Sequence, residues 1–582
     1  MKDKTSIKTI FSRLTDIKSI KWIMTNARKQ RFNIAFLTIL NVLLAGIAVA
    51  NSYMLRFVIN SATGSGVFGS ATDERLHGIA FFGVLFAILI LSKILMTILS
   101  NHLVFKITAR LTIDMKTSLY SKILRKKYSQ ISSYHTGEML NRLNNDVSTI
   151  TNAITVLIPG VVFLMSKLVG IMVVLFTIDP LFTLLFFGVG IFVFSISFTF
   201  RGVLKKYHKQ IFETDGKIRS FMQETLSSLL VVKVFHSEDK VVDTASSLQE
   251  INYKRKAKRN IISLTTHSCF TLAFNAAYLF GLFYCGTKIA VGDPFITYGV
   301  LSQVLSLVSQ ISVPINSLTS VIPVYYGAIA SAERIIEFED MEDEEIVNDA
   351  DIDVADIYKN LESIEFEDIE FNYGRELIFD HTSLSINKGD LVVMTGISGI
   401  GKSTLTKLLL GVFPISNGEI YLRMKDGRKV TIDCNMRNLF SYVPQGNFLL
   451  SGTLRDNITF VKQDATEEEI WDAVDFACAE FIRDLPEGLE TVIGEKGLGL
   501  SEGQVQRVAI ARAILTGAPV ILLDEATSAL DEATELKLLD NIKKLSDKTC
   551  ILISHKKAAN AVCNKEVRII DRKITVIENE KS

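Results

Sequence analysis

The sequence predicts a multidomain membrane protein, in which an all-α transmembrane domain of six spans precedes a soluble α/β domain. Three observations support this fold class. The 582 residues allow roughly two to four folding units. Apolar residues make up 48% and charged residues 22%, a mixture that excludes a disordered or fibrous chain. Long apolar segments occur only before residue 330, and short apolar segments alternate with amphipathic ones after residue 360.

Six apolar segments are long enough to cross a bilayer, which takes about 20 residues of helix. They lie near 33–58, 78–103, 150–178, 181–200, 261–288 and 298–328. The chain therefore divides into four regions with different expected roles. These are an N-terminal segment (1–32), the transmembrane domain (33–330), an acidic linker (331–360) and the soluble domain (361–582).

Lysine and arginine residues set the expected orientation, because basic loops stay on the cytoplasmic side. Segments 1–32, 104–149 and 201–260 carry 9, 8 and 13 of them, whereas the short connections between the other spans carry 2 in all. We expect both termini, both long loops and the soluble domain in the cytoplasm.

The two long loops have apolar residues at helical spacing and many charges. This pattern predicts long helical extensions of the spans, and the alternative is a pair of small separate domains. The acidic stretch at 337–356 is typical of a solvated linker, to which we assign no chemistry. The six cysteines form no CxxC pair or Cys/His cluster, so neither a zinc site nor a disulfide framework is expected.

A glycine-rich phosphate loop is the most specific motif of the soluble domain. The segment LVVMTG (391–396) has the pattern of a buried strand, and GISGIGKS (396–403) matches GxxxxGK[ST] directly before a helical segment. Its glycines let the loop curl around phosphate oxygens, its lysine supplies positive charge, and its serine offers a hydroxyl to Mg²⁺. These residues are Gly396, Gly399, Gly401, Lys402 and Ser403. An ordinary glycine turn explains neither the strand nor the helix.

A second element, VILLDEA (520–526), is an apolar run that ends in two acids. Asp524 can bind Mg²⁺ through its oxygens, and Glu525 can orient or deprotonate an attacking water. A strand that ends in Asp-Glu is weak evidence alone, but here it follows a phosphate loop and precedes SALD (528–531). The sequence therefore predicts ATP hydrolysis, with ATP and Mg²⁺ as cofactors.

A third element, LSEGQ (500–504), begins a further helix and forms a second candidate phosphate cradle. Ser501 and Gly503 are small residues at a helix N-terminus, where backbone N–H groups attract anions. One ATP molecule does not need two cradles in one domain. The sequence therefore predicts two chains that face each other, each completing the nucleotide site of the other.

The order GISGIGKS, Gln445, LSEGQ, VILLDE, SALD and His555 resembles the ATP-binding cassette (ABC) ATPases. Six spans before one such domain resemble a half-transporter of the exporter type, as in bacterial multidrug, lipid and peptide exporters. The resemblance covers essentially the whole chain. It implies a P-loop ATPase domain with a RecA-like core and a helical subdomain. It also implies ATP-driven export by a dimer that binds two ATP molecules between its ATPase domains and alternates access.

The resemblance also assigns roles to single residues. Tyr373 would stack on adenine, Gln445 would contact Mg²⁺, and His555 would contact the γ-phosphate. Segments 132–147 and 222–235 match the family's two cytoplasmic coupling helices. The expected catalytic residues are Lys402, Glu525 and His555, and the expected metal ligands are Ser403, Gln445 and Asp524. The expected nucleotide-binding residues are Tyr373, Gly396, Ser398, Gly399, Gly401, Lys402, Ser403, Thr404, Gln445, Ser501, Gly503, Gln504 and Asp531.

Plainer alternatives exist for three of these assignments. Tyr373 would otherwise be a surface aromatic, Gln445 an ordinary turn residue, and His555 a core histidine. The sequence departs from the family at Glu502, where the family usually has glycine, so a carboxylate stands near the expected γ-phosphate. We expect a working homodimer, and the alternative is a heterodimer in which this chain supplies the weaker signature.

Two lysines, Lys93 and Lys167, lie inside apolar spans without an acidic residue at similar depth. They favour an amphipathic or anionic cargo, and the alternative is that they contact helix carbonyls or snorkel. The other functions that the sequence allows are an importer of a metal chelate and an ATP-gated regulatory or channel protein. The expected partners are a second half-transporter chain, the cargo and the lipid bilayer, with no nucleic acid.

Overall fold

The computed structural model describes residues 17–345, 353–374, 376–446, 449–494, 497, 499–545 and 547–578. Residues 1–16 of the expected N-terminal segment and residues 346–352 of the expected linker lie outside them. The chain forms two compact units. One consists of residues 1–121 and 136–339, and the other of residues 122–135 and 340–582. We call them the membrane unit and the catalytic unit.

Long helices build the membrane unit, and all six predicted spans lie on them. The helices of this part of the chain are α1 (Ile17–Ala27), α2 (Arg31–Thr63), α3 (Thr72–Leu124), α4 (Tyr128–Ile131), α5 (Thr136–Ile178), α6 (Pro180–Ser227), α7 (Leu229–Val234), α8 (Glu238–Ala290) and α9 (Tyr298–Glu339). Of these, α4 and α7 are short helices at the tips of the two long loops, and α4 belongs to the catalytic unit. Within the described residues, four stretches are long and apolar enough to cross a membrane: Ile17–Thr63, α3, α5 and α8. Helices of 42 to 53 residues exceed the 20 that a bilayer needs, so they include the predicted extensions.

The turn between α5 and α6 shows how two spans connect with almost no loop. Asp179 caps α6 by accepting hydrogen bonds from the backbone of Leu181 and Phe182 at 2.9 and 3.0 Å, and Pro180 takes the first helical position. The other carboxylate oxygen of Asp179 accepts a 2.7 Å bond from the Tyr284 hydroxyl of α8. The Phe182 ring stacks parallel to that of Phe280, with centroids 5.7 Å apart. This cap therefore joins three helices.

An ionic cluster joins the N-terminal part of α5 to the C-terminal end of α9. Asp146 is 3% exposed and accepts hydrogen bonds from Ser331 at 2.8 Å and from the Arg334 Nε at 2.9 Å. Arg142 donates to Glu337 at 2.8 Å. Buried charges of this kind need partners, and each carboxylate here has one.

Two sheets and a helical layer form the catalytic unit. The antiparallel sheet has the order β2 (Leu377–Asn387), β1 (Leu361–Asn372), β4 (Asn417–Met424) and β5 (Lys429–Thr431). The second sheet has the order β12 (Lys573–Glu578), β11 (Lys565–Ile570), β3 (Leu391–Thr395), β10 (Thr549–Ile553), β9 (Val520–Asp524) and β6 (Phe440–Val443). All its pairs are parallel except β11 with β12. A short pair, β7 (Gly452–Thr453) and β8 (Val492–Ile493), lies apart.

The helices of the catalytic unit after the linker are α10 (Val354–Asn360), α11 (Lys402–Leu409), α12 (Leu454–Ile458), α13 (Glu467–Phe476), α14 (Glu502–Leu515), α15 (Glu532–Lys543) and α16 (Lys557–Val562). The central strands are apolar on both faces, as parallel strands between two layers must be. Leu522 packs toward the antiparallel sheet, whereas its neighbours Ile521 and Leu523 pack toward the helices. The carboxyl ends of β3, β9 and β10 therefore meet at one edge, where open α/β sheets bind ligands.

The acidic linker is more ordered than a solvated charge run. Asp343 pairs with Lys126 at 2.8 Å, and Glu344 makes two bonds to the Arg437 guanidinium at 2.8 and 3.0 Å. The Tyr128 ring packs edge-on against Phe413, with centroids 5.7 Å apart. Thus residues 122–135, at the tip of the first long loop, belong to the catalytic unit together with linker residues 340–345, whereas residues 331–339 of the expected linker form the end of α9 in the membrane unit.

Candidate nucleotide-hydrolysis site

The phosphate loop curls between β3 and α11 because its glycines adopt conformations that other residues avoid. Gly401 has a φ of +114°, and a Cβ there would come 2.6 Å from Ile378. Lys402 is 5% exposed, and its ammonium group donates to the carbonyl oxygens of Gly396 at 2.8 Å and Ile397 at 3.1 Å. Burial lowers the pKa of Lys402, while the charges of Glu525 and Asp524 act in the opposite direction. The lysine therefore lies inside the loop, with both acids near it.

Asp524 lies at the end of β9, directly beside the phosphate loop. Its Oδ1 accepts a 3.0 Å hydrogen bond from the Ser403 hydroxyl, and its Oδ2 accepts a 3.3 Å bond from the Tyr442 hydroxyl. Asp524 is 1% exposed, and this burial raises the pKa of its carboxyl group although the Ser403 bond acts against the shift. Burial and the same carboxylate raise the pKa of Tyr442. The site thus holds an acid that costs free energy to ionise.

Glu525 stands where three loops of the sheet edge meet. Its Oε2 accepts a 2.7 Å hydrogen bond from the Gln445 amide, and its Oε1 lies 3.7 Å from the Nε2 of His555. Its backbone has a φ of +51°, which is rare for a residue with a side chain, and its N–H donates to Ile553 at 3.1 Å. The fold thus holds this carboxylate in a strained position between two polar side chains.

Tyr373 follows β1 and belongs to an aromatic cluster. Its ring packs edge-on against Phe371 at 4.8 Å and Phe413 at 5.4 Å between centroids, and its hydroxyl donates to Thr404 at 3.3 Å. Tyr373 is 44% exposed, so part of it is accessible to a planar ligand. Phe413 is also the ring that Tyr128 contacts, although the glycine and charge motifs gave no signal for this aromatic cluster.

The signature segment forms a capping box at the start of α14. Ser501 accepts from the Gln504 backbone at 3.3 Å, and the Gln504 side chain accepts from the Ser501 backbone at 2.8 Å. A Cβ on Gly503 would come 2.8 Å from the carbonyl oxygen of Ala529, so only glycine lets α14 pack this closely. Glu502 is exposed in the first helical turn. The helix N-terminus is therefore accessible, and Glu502 is exposed beside it.

Two residues that sequence reasoning missed hold the segment 528–531 in place. The side chain of Gln506 donates to Ser528 at 2.9 Å and accepts from the Ala529 backbone at 3.1 Å. Lys556 follows His555 and donates to the carbonyl oxygens of Thr527 at 2.8 Å and Leu530 at 3.0 Å. Neither residue type at its position is distinctive in the sequence, so only tertiary contacts could find them.

Lys556 also neutralises a buried acid. Its ammonium group lies 3.1 Å from the Oε2 of Glu535, whose side chain is 3% exposed, and Thr527 donates to the other oxygen of Glu535 at 3.1 Å. At the end of the same segment, Asp531 caps α15 by accepting a 3.0 Å bond from Thr534, which lowers the pKa of Asp531. Segment 528–531 is thus fixed at both ends.

The predicted site residues form two groups. One surrounds the phosphate loop, and direct contacts join Ser403 to Asp524 and Glu525 to Gln445 and His555. The other group lies at the start of α14 and in segment 528–531. A backbone hydrogen bond from the Ser528 N–H to the carbonyl oxygen of Glu525, at 3.1 Å, links the two groups within the chain. Gly399 and Ser398 lie in the exposed bend of the phosphate loop.

The donors around the phosphate loop fit a hard cation such as Mg²⁺, which prefers hydroxyl, amide and carboxylate oxygens. Ser403, Asp524 and Gln445 supply these groups. Among the described residues, no group of three or more His, Cys, Asp or Glu could bind a metal ion. A cation here would therefore take its remaining ligands from phosphate and water, as Mg²⁺ often does.

Comparison with known protein families gives two matches. The model described as "ABC transporter transmembrane region" matches residues 34–315, and the model described as "ABC transporter" matches residues 379–528. Together these models cover most of the chain, and the second includes the phosphate loop, the signature segment and β9.

Several curated proteins are similar over most of their length. An "ATP-dependent lipid A-core flippase" of Francisella tularensis subsp. holarctica is 27% identical over 514 residues, which cover 87% of this chain and 82% of that protein. One with the same description from Desulfotalea psychrophila is 29% identical over 467 residues, or 79% of this chain and 80% of that protein. A "Putative ABC transporter ATP-binding protein MG015 homolog" of Mycoplasma pneumoniae is 29% identical, covering 83% and 76%.

One solved structure has the same fold along nearly the whole chain. It is described as "Structure of a bacterial Atm1-family ABC exporter with ATP bound". The TM-score is 0.77 at 22% sequence identity, and the match covers 94% of each chain. The order of a helical membrane region and an α/β ATPase region is therefore shared, which confirms the predicted fold class.

Proposed function

The chain belongs to the ABC transporter family, as a half-transporter of the exporter type, and we propose that it exports an amphipathic, anionic molecule as a homodimer. It is a multi-pass membrane protein that binds ATP and couples ATP hydrolysis to transport. An importer on the same scaffold is not favoured by these relatives. The observation that carries the proposed mechanism is the contact of Gln445 and His555 with Glu525, next to Asp524 and the phosphate loop.

In the proposed site, the phosphate loop binds the β- and γ-phosphates of ATP and Tyr373 stacks on adenine. Lys402 exchanges its bonds to loop carbonyls for phosphate oxygens, which are stronger acceptors. Ser403, Asp524 and Gln445 would bind Mg²⁺, which neutralises phosphate charge when it is bound. Ser398, Gly399 and Thr404 belong to the same loop and helix and would offer backbone N–H groups and hydroxyls to the phosphates.

Glu525 is the proposed base that orients the attacking water and accepts its proton. Gln445 and His555 act as positioning groups on opposite oxygens of this carboxylate. His555 also offers a donor toward the γ-phosphate. The strained backbone of Glu525 supports this role, because such strain concentrates at functional positions.

Dimer formation completes the proposed site. Ser501, Gly503 and Gln504 at the accessible start of α14 bind the γ-phosphate of the nucleotide on the facing chain, and Asp531 holds the neighbouring segment. Glu502 is exposed beside these residues, and we propose that its carboxylate turns away from that phosphate in a homodimer with two equal sites.

Exposed apolar residues at the tip of the second long loop are evidence for contact with a partner chain. Helix α7 and the residue that follows it expose a cluster of apolar side chains, of which Leu230 is 77% and Phe235 72% exposed. Apolar clusters of this kind mark contact sites. We assign this tip to the catalytic unit of the partner, where it transmits closure of the ATPase dimer to the spans. Helix α4 and residues 132–135 would serve the catalytic unit of their own chain.

The proposed orientation places both termini, both long loops and the catalytic unit in the cytoplasm, as the basic loops require. Cargo then enters from the cytoplasmic side or the inner leaflet, and two bound ATP molecules turn the cavity outward. A difference of a few kcal/mol in nucleotide affinity between the two conformations is enough to shift this equilibrium. The relatives described as lipid A-core flippases support a lipid-like cargo.

Lipid transport by proteoliposomes tests this function. The full chain is reconstituted with a fluorescent phospholipid, and chemical quenching from outside measures the labelled fraction in the outer leaflet. Only transporters with external ATPase domains can use added ATP, so export predicts an ATP-dependent loss of quenchable label. Glu525→Gln is the matched control and should show no change. Equal label movement by wild type and Glu525→Gln would contradict the proposal.

A further inference from the structure

A basic groove lies between α6 and α8, just beyond the membrane spans. Its volume is about 240 Å³, whereas one buried water needs only about 10–15 Å³, so the groove has room for a polyatomic ligand. Four of its six lining residues are basic, and the other two offer a hydroxyl and an amide. Among the described residues, no acid lines it. The lining consists of Lys206, Tyr207 and Gln210 of α6 and of Lys254, Arg255 and Lys258 of α8.

The groove lies at the depth of lipid headgroups. Lys258 precedes the predicted span 261–288 by three residues, or about 4.5 Å along the helix at 1.5 Å per residue. Lys206 follows the predicted span 181–200 by six residues, or about 9 Å. Headgroups extend roughly 5–8 Å beyond the hydrocarbon core on each side of a bilayer. In the proposed orientation, the groove therefore meets the headgroups of the cytoplasmic leaflet, where tyrosines such as Tyr207 are also common.

Contacts between α6 and α8 hold one side of the groove in place. The Arg255 Nη1 donates a 2.9 Å hydrogen bond to the carbonyl oxygen of Gln210 and a second bond to the Thr214 hydroxyl. Lys256 pairs with Asp215 of α6 at 3.2 Å. Both bonds of Arg255 use the same nitrogen, and no acceptor among the described residues is bonded to its Nε or Nη2. The guanidinium is thus positioned before a ligand binds, which reduces the cost of ordering it.

The protein leaves most of the positive charge of the groove without an acidic partner. Within the described parts of the chain, no carboxylate lies within ion-pair distance of Lys206, Arg255 or Lys258. The fourth basic residue, Lys254, lies 3.7 Å from Glu250 of its own helix, and both side chains are exposed. Exposed pairs of this kind contribute little. Several uncompensated cations in one groove create a positive potential that attracts anions.

We propose that this groove binds the phosphate headgroup of an anionic membrane lipid, whose acyl chains stay in the adjacent leaflet. Lys206, Arg255 and Lys258 donate charge-assisted hydrogen bonds to the phosphate oxygens. The Tyr207 hydroxyl and the Gln210 amide donate to ester or glycerol oxygens. Basic pockets between spans on the cytoplasmic side recognise lipid headgroups in this way. The lipid is a bound ligand of these two helices rather than cargo, so the inference goes beyond the proposed export function.

The position of the groove favours a lipid over a soluble phosphate. Both ligands gain the same contacts with the basic side chains. A lipid is already held in the leaflet beside the groove, so its effective concentration there is far higher than that of a free anion. The groove is also open, because all three of its lysines are exposed, and a headgroup can therefore enter sideways from the bilayer.

Equilibrium binding of radiolabelled phosphatidylglycerol to the full chain in dodecyl maltoside micelles tests the site. The wild type should bind saturably, and Lys206→Gln/Lys258→Gln should weaken this binding about tenfold or more, because two charged donors are lost. Lys206→Arg/Lys258→Arg should stay close to wild type, since both charges remain. Each single glutamine change should weaken binding about threefold, and these variants serve if the double variant does not fold. The melting temperature without lipid reports the folding of each variant.

Lys217→Gln/Lys240→Gln is the matched control. Lys217 lies on α6 and Lys240 on α8, and both are exposed. They stand 17 and 21 residues from the predicted spans, or about 26 and 32 Å along the helices, so the control removes the same charge from the same helices far from the headgroups. It should bind phosphatidylglycerol like the wild type. Equal weakening in the control and in Lys206→Gln/Lys258→Gln would show a general effect of charge and overturn the site.

Competition identifies the ligand. Unlabelled phosphatidylglycerol should displace the probe, whereas phosphatidylcholine at the same concentration should not, because its headgroup has no net charge. Inorganic phosphate at that concentration should also leave the probe bound. Displacement by inorganic phosphate as complete as that by phosphatidylglycerol would show a free-anion site and overturn the lipid. Wild-type binding in Lys206→Gln/Lys258→Gln would overturn the site itself.

Discussion

The Gln445 amide donates a 2.7 Å hydrogen bond to the Glu525 carboxylate, and so joins the loop after β6 to the end of β9. Gln445 follows β6 and contacts Glu525 beside the phosphate loop, so nucleotide binding is expected to change the position of its side chain. The bond fixes one oxygen of Glu525 and leaves the other to face His555 at 3.7 Å. The carboxylate is thereby positioned before any substrate binds, which is how a general base is made effective.

Replacing Glu525 by glutamine tests the base. The side chain keeps its size and its place but cannot accept a proton, so ATP hydrolysis should fall about 100-fold or more while ATP binding persists. Phosphate release and equilibrium nucleotide binding by the purified chain measure the two effects. Wild-type turnover in this variant would remove Glu525 from its proposed role.

Asp524→Asn should stabilise the fold while abolishing activity. Burial raises the pKa of Asp524. Between the usual carboxyl pKa and the raised value, the folded state therefore binds more protons than the unfolded state. The free energy of unfolding falls as the pH rises through that window. At pH 7.5 the variant should therefore melt roughly 2 °C higher or more, and the difference should disappear at acidic pH. A lower melting temperature at pH 7.5 would contradict this account.

Glu502→Gly tests whether the unusual signature weakens the site. Glu502 is exposed at the start of α14, where its charge is screened by solvent, so turnover should change by less than about threefold. Steady-state ATPase measurement of the homodimer is sufficient. A manyfold gain would instead show that the carboxylate obstructs the γ-phosphate and would favour a heterodimer.

Lys556→Met tests the positioning of segment 528–531. The change removes two bonds to backbone carbonyls and leaves Glu535 as a buried acid without its cation. Breaking such a pair costs about 3–5 kcal/mol, so the catalytic unit should melt roughly 5–10 °C lower. Lys556→Arg is the control and should retain most of the stability. If both variants melt at the wild-type temperature, Lys556 does not hold segment 528–531 in place.

Much of the phosphate site could be predicted from sequence because its chemistry needs special residues. Only glycine satisfies the backbone of Gly401, and a strand that ends in Asp524 and Glu525 delivers both acids to the same sheet edge. These requirements are local, so they leave a pattern in the chain. The spans were predictable for a similar reason, since bilayer thickness fixes their length.

Contacts between distant, ordinary residues could not be predicted. Lys556 and Glu535 pair across 21 positions, and Asp343 and Lys126 across more than 200, yet Lys, Asp and Glu are common on any surface. The sequence shows the acidic residues of the linker but not the distant basic residues that pair with them, so the pattern predicted a solvated linker. The role of Ser501 is a different case, because the nucleotide that we propose it binds belongs to a second chain.

A cysteine cross-link between chains tests the central claim, that ATP joins two catalytic units into shared sites. Ser398 in the phosphate loop and Ser501 in the signature segment are both exposed and are changed to cysteine together in a Glu525→Gln background. The exposed Cys269 and the partly exposed Cys434 are first replaced by serine. We predict an intermolecular disulfide in the full-length chain that forms with ATP and not without it. Nucleotide-bound protein that forms no disulfide between chains would contradict the account.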